Sequence, residues 1–493
     1  MITTFNNIKK FKNMSSSQLL AFNFKSKNIL KLEELLYRKL TPLDNGLEVG
    51  TVNYIKRSEK IFMKAKALQS YKFFPVINNE TSEFIKPNVF KFMDLKEGDI
   101  IISKDSNIGE ACILEKDYPN VMMSNALYKL PILEKKYYIL SFIKSDYFKQ
   151  QLDILAPRGA TIRHAGKKFL DCLIPFPSDE KVVNYIEYLT KCILKIEKTI
   201  DEKDELIINL INNDLKNNCV NNDLNLDTLK FSELRKIGRY DVGIFSDEYK
   251  TINNYIKNYK YGNKKMEELG YEITRGQNLQ ISNIGKSVYS KYKINDSYYN
   301  LVLSNSITDT MTFRTNLFLG SKKELKTIEY GDIIFTCRGN LGRCFVNCYD
   351  KNKMITNIDN VHICNKKSPI EEKITICCFL HYLKKKNYLR NISIQGSGAD
   401  SFTKYHFDMI NIPNFSKELQ SKLSILYNNT VNDEFSIDNF IENIGSFGLF
   451  QLEKIKEIIS KEINAIFFDI IEDNKVEINN SFNNIINKLR RFA

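Results

Sequence analysis

The sequence predicts an α+β protein made of two tandem α/β domains separated by long helices that pair as an antiparallel coiled coil. Three observations predict it: an internal repeat of domain length, an apolar seam on 3.5-residue spacing, and a net charge that changes sign along the chain. With 493 residues the chain is too long for one ordinary core. Its 43% apolar and 12% aromatic content, with only 10 Pro and 20 Gly, excludes a disordered or collagen-like polypeptide.

The repeat sets the domains. Residues 98–113 read GDIIISKDSNIGEACI and residues 331–346 read GDIIFTCRGNLGRCFV. Gly98-Asp99-Ile100-Ile101 aligns with Gly331-Asp332-Ile333-Ile334, and Asn107-Ile108-Gly109 with Asn340-Leu341-Gly342, all at an offset of 233. Arg158-Gly159-Ala160 answers Ser397-Gly398-Ala399 at 239, and Ile174-Pro175 answers Ile412-Pro413 at 238. Such drift is what insertions in loops produce. A period this long means two copies of a whole domain, placed at 1–178 and 228–413. Short β-rich runs (GDIII, ACIL, IIFT, RCFV) between Gly, Asn and Asp turns give each copy its strands.

Each copy ends in an Ile-Pro strand followed by a helical segment, 179–227 after the first and 414–493 after the second. In the first, Ser178 is the expected cap, with Asp179 and Glu180 in the opening turn. Val182, Ile186, Leu189, Ile193, Ile196, Ile200, Ile207 and Leu210 then fall on alternating four- and three-residue steps, interrupted only at Lys203. That spacing is a coiled-coil seam, so this face calls for a partner helix. In the second, Ser416 caps a helix from Lys417 to about Asn428. A further helical stretch begins near Gln451 and carries Ile455, Ile459, Ile463, Ile466, Ile470 and Ile471 on one stripe. The expected arrangement is that this stripe packs antiparallel on the first seam; the alternative is that each stripe packs on its own lobe.

Charge follows the same division. The formal total is +13, and the four segments carry +10, −5, +11 and −3 in order. Basic lobes on acidic helices suggest that the lobes meet a polyanion. Lys and Arg that reach phosphate release condensed counterions, so two such lobes imply salt-sensitive affinity for nucleic acid.

Several function classes lack their chemistry. No Asn-Pro-Pro-Tyr or Asp-Pro-Pro-Tyr tetrapeptide supports an amino-methyltransferase site. Gly285-Lys286-Ser287 lacks the earlier glycine of a phosphate loop, because Gln280 stands there. His164, His362, His381 and His406 are dispersed, and the ten cysteines contain no C-x-x-C, so no metal centre is expected and the thiols are expected reduced. Asp179, Glu180 and Lys181 fit a helix start better than a nuclease site. Arg338 to Arg343 (RGNLGR) precedes a strand-like run and is expected to be a hairpin turn. No apolar run approaches membrane-span length, and a cytoplasmic protein is expected.

In its order of basic domain, long helix, basic domain and long helix, without a catalytic motif, the chain resembles the specificity (S) subunit of type I restriction-modification systems. The likeness covers essentially the whole chain and is most specific over residues 158–207, where an Ile-Pro-x-Pro strand end leads into a spacer helix. The second junction, 396–415, departs from it, lacking the second proline.

The resemblance implies a non-catalytic reader whose two target-recognition domains each bind half of a split sequence in double-stranded DNA. It implies paired helices that act as a ruler and dock two methyltransferase (M) subunits, with restriction/translocase (R) subunits added in a full complex. No cofactor is then bound by this chain; S-adenosylmethionine, ATP and Mg are expected on the partners. The alternative from another class is a coiled-coil scaffold that binds protein.

Arg and Lys suit guanine, and Asn and Gln suit adenine. The candidate DNA contacts are therefore Arg158, Arg163, Lys167 and Lys168 in the first copy, with Arg275, Gln277, Asn278, Arg314, Arg338 and Arg343 in the second.

Overall fold

The computed structural model describes residues 24–155, 166–221, 243–315, 317–349, 353–393, 401–431 and 435–489. Of the described residues, those up to Lys198, with Phe435–Ile441 and Ile458–Leu489, form one compact unit. Those from Thr199 to Val431, with Glu442–Glu457, form the other.

In unit one the order is β1 (Ile29–Lys31), β2 (Tyr54–Ile55), β3 (Ile61–Met63), β4 (Ser82–Ile85), β5 (Ile100–Ser103), β6 (Ala111–Ile113), β7 (Val121–Met123) and β8 (Leu127–Leu130). Then come α1 (Lys136–Lys144), α2 (Asp146–Leu155), β9 (Leu173–Pro175) and the start of α3 (Glu180–Asn217).

Unit two holds the end of α3, then α4 (Asp247–Lys257), β10 (Asn263–Lys264), β11 (Glu272–Arg275), α5 (Ile281–Ile284), β12 (Ser287–Ser290), β13 (Tyr298–Val302) and β14 (Phe318–Ser321). It continues through β15 (Ile333–Thr336), β16 (Cys344–Val346), β17 (Met354–Thr356), β18 (Asn360–Cys364), α6 (Ile370–Lys385), α7 (Tyr388–Ser393), α8 (Lys404–Asp408), β19 (Ile412–Pro413) and α9 (Lys417–Tyr427). The C-terminal helices are α10 (Ile437–Asn443), α11 (Leu449–Ile471) and α12 (Ile478–Leu489).

The same sheets are built in both units. One is four-stranded, in the order β2-β4-β3-β7 and again β12-β14-β13-β17, antiparallel except for the parallel pairs β3–β7 and β13–β17. The other centres on β5 in unit one (β6-β5-β8) and on β15 in unit two (β11-β18-β15-β16). Registers correspond: Ile100 faces Ile113 and Leu130, while Ile333 faces Val346 and Ile363. Each unit also closes with a short antiparallel pair, β1–β9 and β10–β19, around the two Ile-Pro sites.

The shared GDII and Asn-x-Gly residues have structural work. Gly98 and Gly331 have φ of +81° and +79°, and Gly109 and Gly342 have +78° and +80°, a region open to glycine. Asp99 accepts from the Lys96 backbone N–H at 2.8 Å, and Asp332 from that of Glu329 at 2.7 Å. Each then takes a partner from the neighbouring strand at matching positions: Lys129 Nζ to Asp99 Oδ2 at 3.3 Å, and His362 Nε2 to Asp332 Oδ2 at 2.6 Å. The RGNLGR segment is the β15–β16 hairpin turn, as expected.

β5 and β15 are buried along their whole length, which explains their unbroken apolar runs. Fully burying one isoleucine contributes about 1.5–3 kcal/mol. Met63, Leu68, Ile101, Val121 and Leu127 form a core in unit one, and Tyr299, Leu301, Leu319 and Ile355 one in unit two.

Asp179 rather than Ser178 caps α3, accepting from the Lys181 N–H at 2.9 Å, and Ser416 caps α9 as expected. The 38 residues of α3 span about 57 Å at 1.5 Å per residue. Its seam residues Val182, Ile186, Leu189, Ile193, Ile196, Ile200 and Ile207 are buried. Leu210 is half-buried, and Ile211 and Leu215 hold the buried places instead. The reason is the helix period. At 3.6 residues per turn the inward positions run 200, 204, 207, 211 and 215, so Asp204 enters the core and Lys203 turns partly out. The first half also buries Val183, Tyr185, Cys192 and Glu197 beside the seam, a face wider than a two-helix contact needs.

Polar contacts hold each half of α3 in its unit. In unit one, Glu187 accepts from the Tyr137 and Tyr138 N–H groups, the orphan donors that open α1, and Tyr185 donates to Ser481 of α12. Glu197, fully buried, accepts from the backbone N–H of Phe73 at 2.9 Å. In unit two, Asp204 pairs with His381 at 2.7 Å and Lys385 at 2.9 Å, both on α6, and Tyr382 donates to Asn212. α3 therefore begins in unit one and ends in unit two, whereas α11 begins in unit two and ends in unit one. The α11 stripe, Ile455 to Ile471, is buried as expected.

Candidate nucleic-acid interface

In unit two the site grows from the shared end of three strands. β11 runs antiparallel to β18 with Arg275 opposite Val361, and β15 pairs with β18 so that Thr336 faces Asn360. The last residue of β11 and the turn that begins after β15 therefore lie at one end of the sheet. Arg275 and Arg338 are both exposed there, and both guanidinium groups act electrostatically on the Cys337 thiol. Burial, the stronger influence, pushes that thiol up to about 12, so it is not a nucleophile at neutral pH.

Past Arg275 the chain presses against the opposing backbone. Gly276 donates to Asn360 O and Gln277 to Thr356 O, and a Cβ at Gly276 would lie 2.1 Å from Asn357 O. Only glycine fits, and that close approach turns Arg275, Gln277 and Asn278 along one open cleft. Lys326, Thr356 and His362 complete its wall. Gln277 Oε1 accepts from the Lys326 N–H at 3.4 Å, and Lys326 Nζ donates to Thr274 Oγ1 at 3.4 Å. Donors and an amide on a rigid strand end can address base edges or phosphates.

Arg314 and Arg343 are placed differently. Arg343 donates to both Asp309 oxygens, at 2.9 and 2.6 Å, and to Ile307 O. Asp309 also takes Lys384 at 2.7 Å, and these two cations hold its carboxyl well below the usual range despite burial, which acts the other way and more strongly than either cation alone. Arg314 lies half-buried with Nε 3.6 Å from Glu453 of α11. Both are engaged by carboxylates within the unit, a use that sequence position did not disclose.

In unit one, Arg158 and Arg163 lie outside the described residues. Lys168 is exposed and donates to Leu155 O at 3.1 Å. Lys167 Nζ stands 6.0 Å from the Tyr128 ring centre, on a site equivalent to the cleft of unit two. Asn45 bridges Tyr128 as Arg275 pairs Val361, and Gly46 and Leu47 repeat the bonds of Gly276 and Gln277. A Cβ at Gly46 would lie 1.9 Å from Ser124 O. Lys104 donates to Asn45 Oδ1 at 3.1 Å and lies 4.9 Å from the Tyr128 ring centre. In the aligned turns Asp105 stands where Arg338 does, and Ser106 takes the positive φ of Gly339.

Asn45, Lys104 and Lys326 were thus missed by sequence reasoning. Lys104 could have been found, because it stands next to Asp105, which aligns with the candidate Arg338 at the offset of 233. Asn45 could not, since only Gly46 is shared across that stretch.

Among the described residues no group of three His, Cys, Asp or Glu side chains is arranged to hold a metal ion, and no helix is long and apolar enough to cross a membrane.

Three solved structures similar to this chain are of proteins from type I restriction-modification systems. One is the S subunit from M. genitalium, 13% identical with a TM-score of 0.38, covering 93% of this chain and 98% of that one. Another is the HsdS subunit from Thermoanaerobacter tengcongensis, 13% identical with a TM-score of 0.27, covering 91% and 97%. A third comes from work on complex assembly and conformational transition of the type I R-M system, 12% identical with a TM-score of 0.29, covering 92% and 99%. No family model and no curated protein matches the sequence.

Proposed function

We propose that this chain is a non-catalytic DNA-recognition subunit that reads a bipartite target and positions adenine methyltransferase subunits, and restriction subunits where present, on it. One observation carries the reading: the same strand-end backbone arrangement is built twice, on equivalent registers, with different hydrogen-bonding side chains. Arg275 and Gln277 line one copy with Arg338 exposed at the same end of the sheet, whereas Asn45, Lys104 and Asp105 mark the equivalent positions of the other. A duplicated scaffold with altered donors and acceptors is what two unlike half-sites require.

In this reading residues 1–178 and 228–413 are the target-recognition domains, and 179–227 and 414–493 supply the spacer and docking helices. α3 and α11, which run between the units in opposite chain directions, pair as an antiparallel coiled coil. S-adenosylmethionine, ATP and Mg belong to the partner subunits, and the complex works on DNA in the cytoplasm. Arg314 and Arg343 support the fold rather than the contact.

Mobility shift of duplex DNA across a salt series, with and without a methyltransferase partner, tests this. A reader binds with affinity that falls steeply with salt. A coiled-coil adaptor shows no salt-dependent binding in either case.

A further inference from the structure

β2 and β12 are outer strands of the two equivalent four-stranded sheets, each paired, among the described residues, on one side only, with β4 and β14. An open strand edge invites pairing with another chain, and proteins blunt it with charge. Lysines alone would serve that purpose. Here they alternate with exposed aromatic side chains, which blunting does not explain. Around β12, Tyr289 is 53% and Tyr292 77% exposed, interleaved with exposed Lys286, Lys291 and Lys293. Lys293 is balanced by Asp296 at 2.9 Å.

Unit one repeats the basic part of the pattern with other residues. Half-buried Tyr54 of β2 leads into exposed Lys56 and Arg57, with Glu59 the acidic residue of that connection, and Phe92 is 64% exposed after β4. Each companion strand ends in lysine at the matching place, Lys86 after β4 and Lys322 after β14. In unit two this rim is continuous with the cleft. Lys323 donates to Asn283 O beside β12, and three residues on Lys326 lines the cleft wall.

We infer that the β2 and β12 edges, with the connections that follow them, are the phosphate-binding rails on which duplex DNA is seated, leaving the strand-end clefts to address bases. The inference rests on the DNA-reader reading above and deepens it. The rails position without specifying, because Lys and Arg meet phosphates while the tyrosines meet sugar and backbone. That exposed basic residues recur at this edge in both units on dissimilar sequence is what a shared, sequence-independent ligand produces.

The test uses the full chain with its methyltransferase partner and a random-sequence duplex in a mobility shift at graded salt. Lys56→Ala/Arg57→Ala and Lys286→Ala/Lys291→Ala should each lower the slope of log K against log salt by about 1.8, at about 0.9 per phosphate contact. Lys366→Ala/Lys367→Ala, at the opposite end of β18 from the cleft, should leave it unchanged, and all three should melt with the parent chain. Lys286→Arg/Lys291→Arg should restore the parental slope. If the parent binds steeply and both rail variants match it, the rails are overturned and the reader stands. If the parent shows no salt-dependent binding, the reader itself fails.

Discussion

Lengthening the ruler is the most informative perturbation. Two buried carboxylates mark where α3 is fixed: Glu197 to the Phe73 backbone in unit one, and Asp204 to His381 and Lys385 in unit two. Four residues inserted between them move one anchor about 6 Å along the axis and about 40° around it, at 1.5 Å and 100° per residue. α11 also passes from one unit to the other, between Glu457 and Ile458, so a single insertion sets the two helices against each other. The single variant should therefore lose stability, and a second four-residue insertion at Glu457 should recover it. At about 3.4 Å per base pair the paired variant should lengthen the unread gap by about two base pairs, with both half-sites unchanged. Methylome sequencing of cells carrying each variant with its methyltransferase gives the readout. An unchanged gap in the paired variant, or changed half-sites, would refute the ruler.

Three further outcomes follow from single contacts. Arg275→Ala should weaken binding about 5- to 150-fold, about 1–3 kcal/mol, and relax preference in one half-site only, as site selection from randomised duplex would show. Gly46→Ala and Gly276→Ala, whose Cβ atoms would meet backbone oxygens at 1.9 and 2.1 Å, should each destabilise their unit by about 1–3 kcal/mol in a denaturant melt. Burial lowers the pKa of His381 below its ordinary 6.5, outweighing Asp204, which acts the other way, so as pH falls through 6.5 the unfolded chain takes up a proton that the folded chain resists. Stability should fall with pH there and return above it, and His381→Gln should remove that share of the slope.

The duplication was legible because its signature residues are conformational. Gly98, Gly331, Gly109 and Gly342 occupy positive-φ turns, and Asp99 and Asp332 close them, so the two copies could not diverge there. The clefts were half legible. Residue type singled out Arg275 and Gln277, but Gly46, the counterpart of Gly276, is flanked by different chemistry, and nothing local marks it. The engagement of Arg314 and Arg343 depends on Glu453 and Asp309, carboxylates distant in sequence. The seam failed where strict 3.5-residue spacing was carried past Lys203, because the helix keeps its own period and brings Asp204 inward to meet His381.

Whether one polypeptide carries two separate readers is tested most directly by selecting bound sequences from a randomised duplex library with the methyltransferase-loaded chain. Two short blocks of unlike sequence at one constant spacing are the predicted outcome. A single uninterrupted block, or no enrichment, would contradict it.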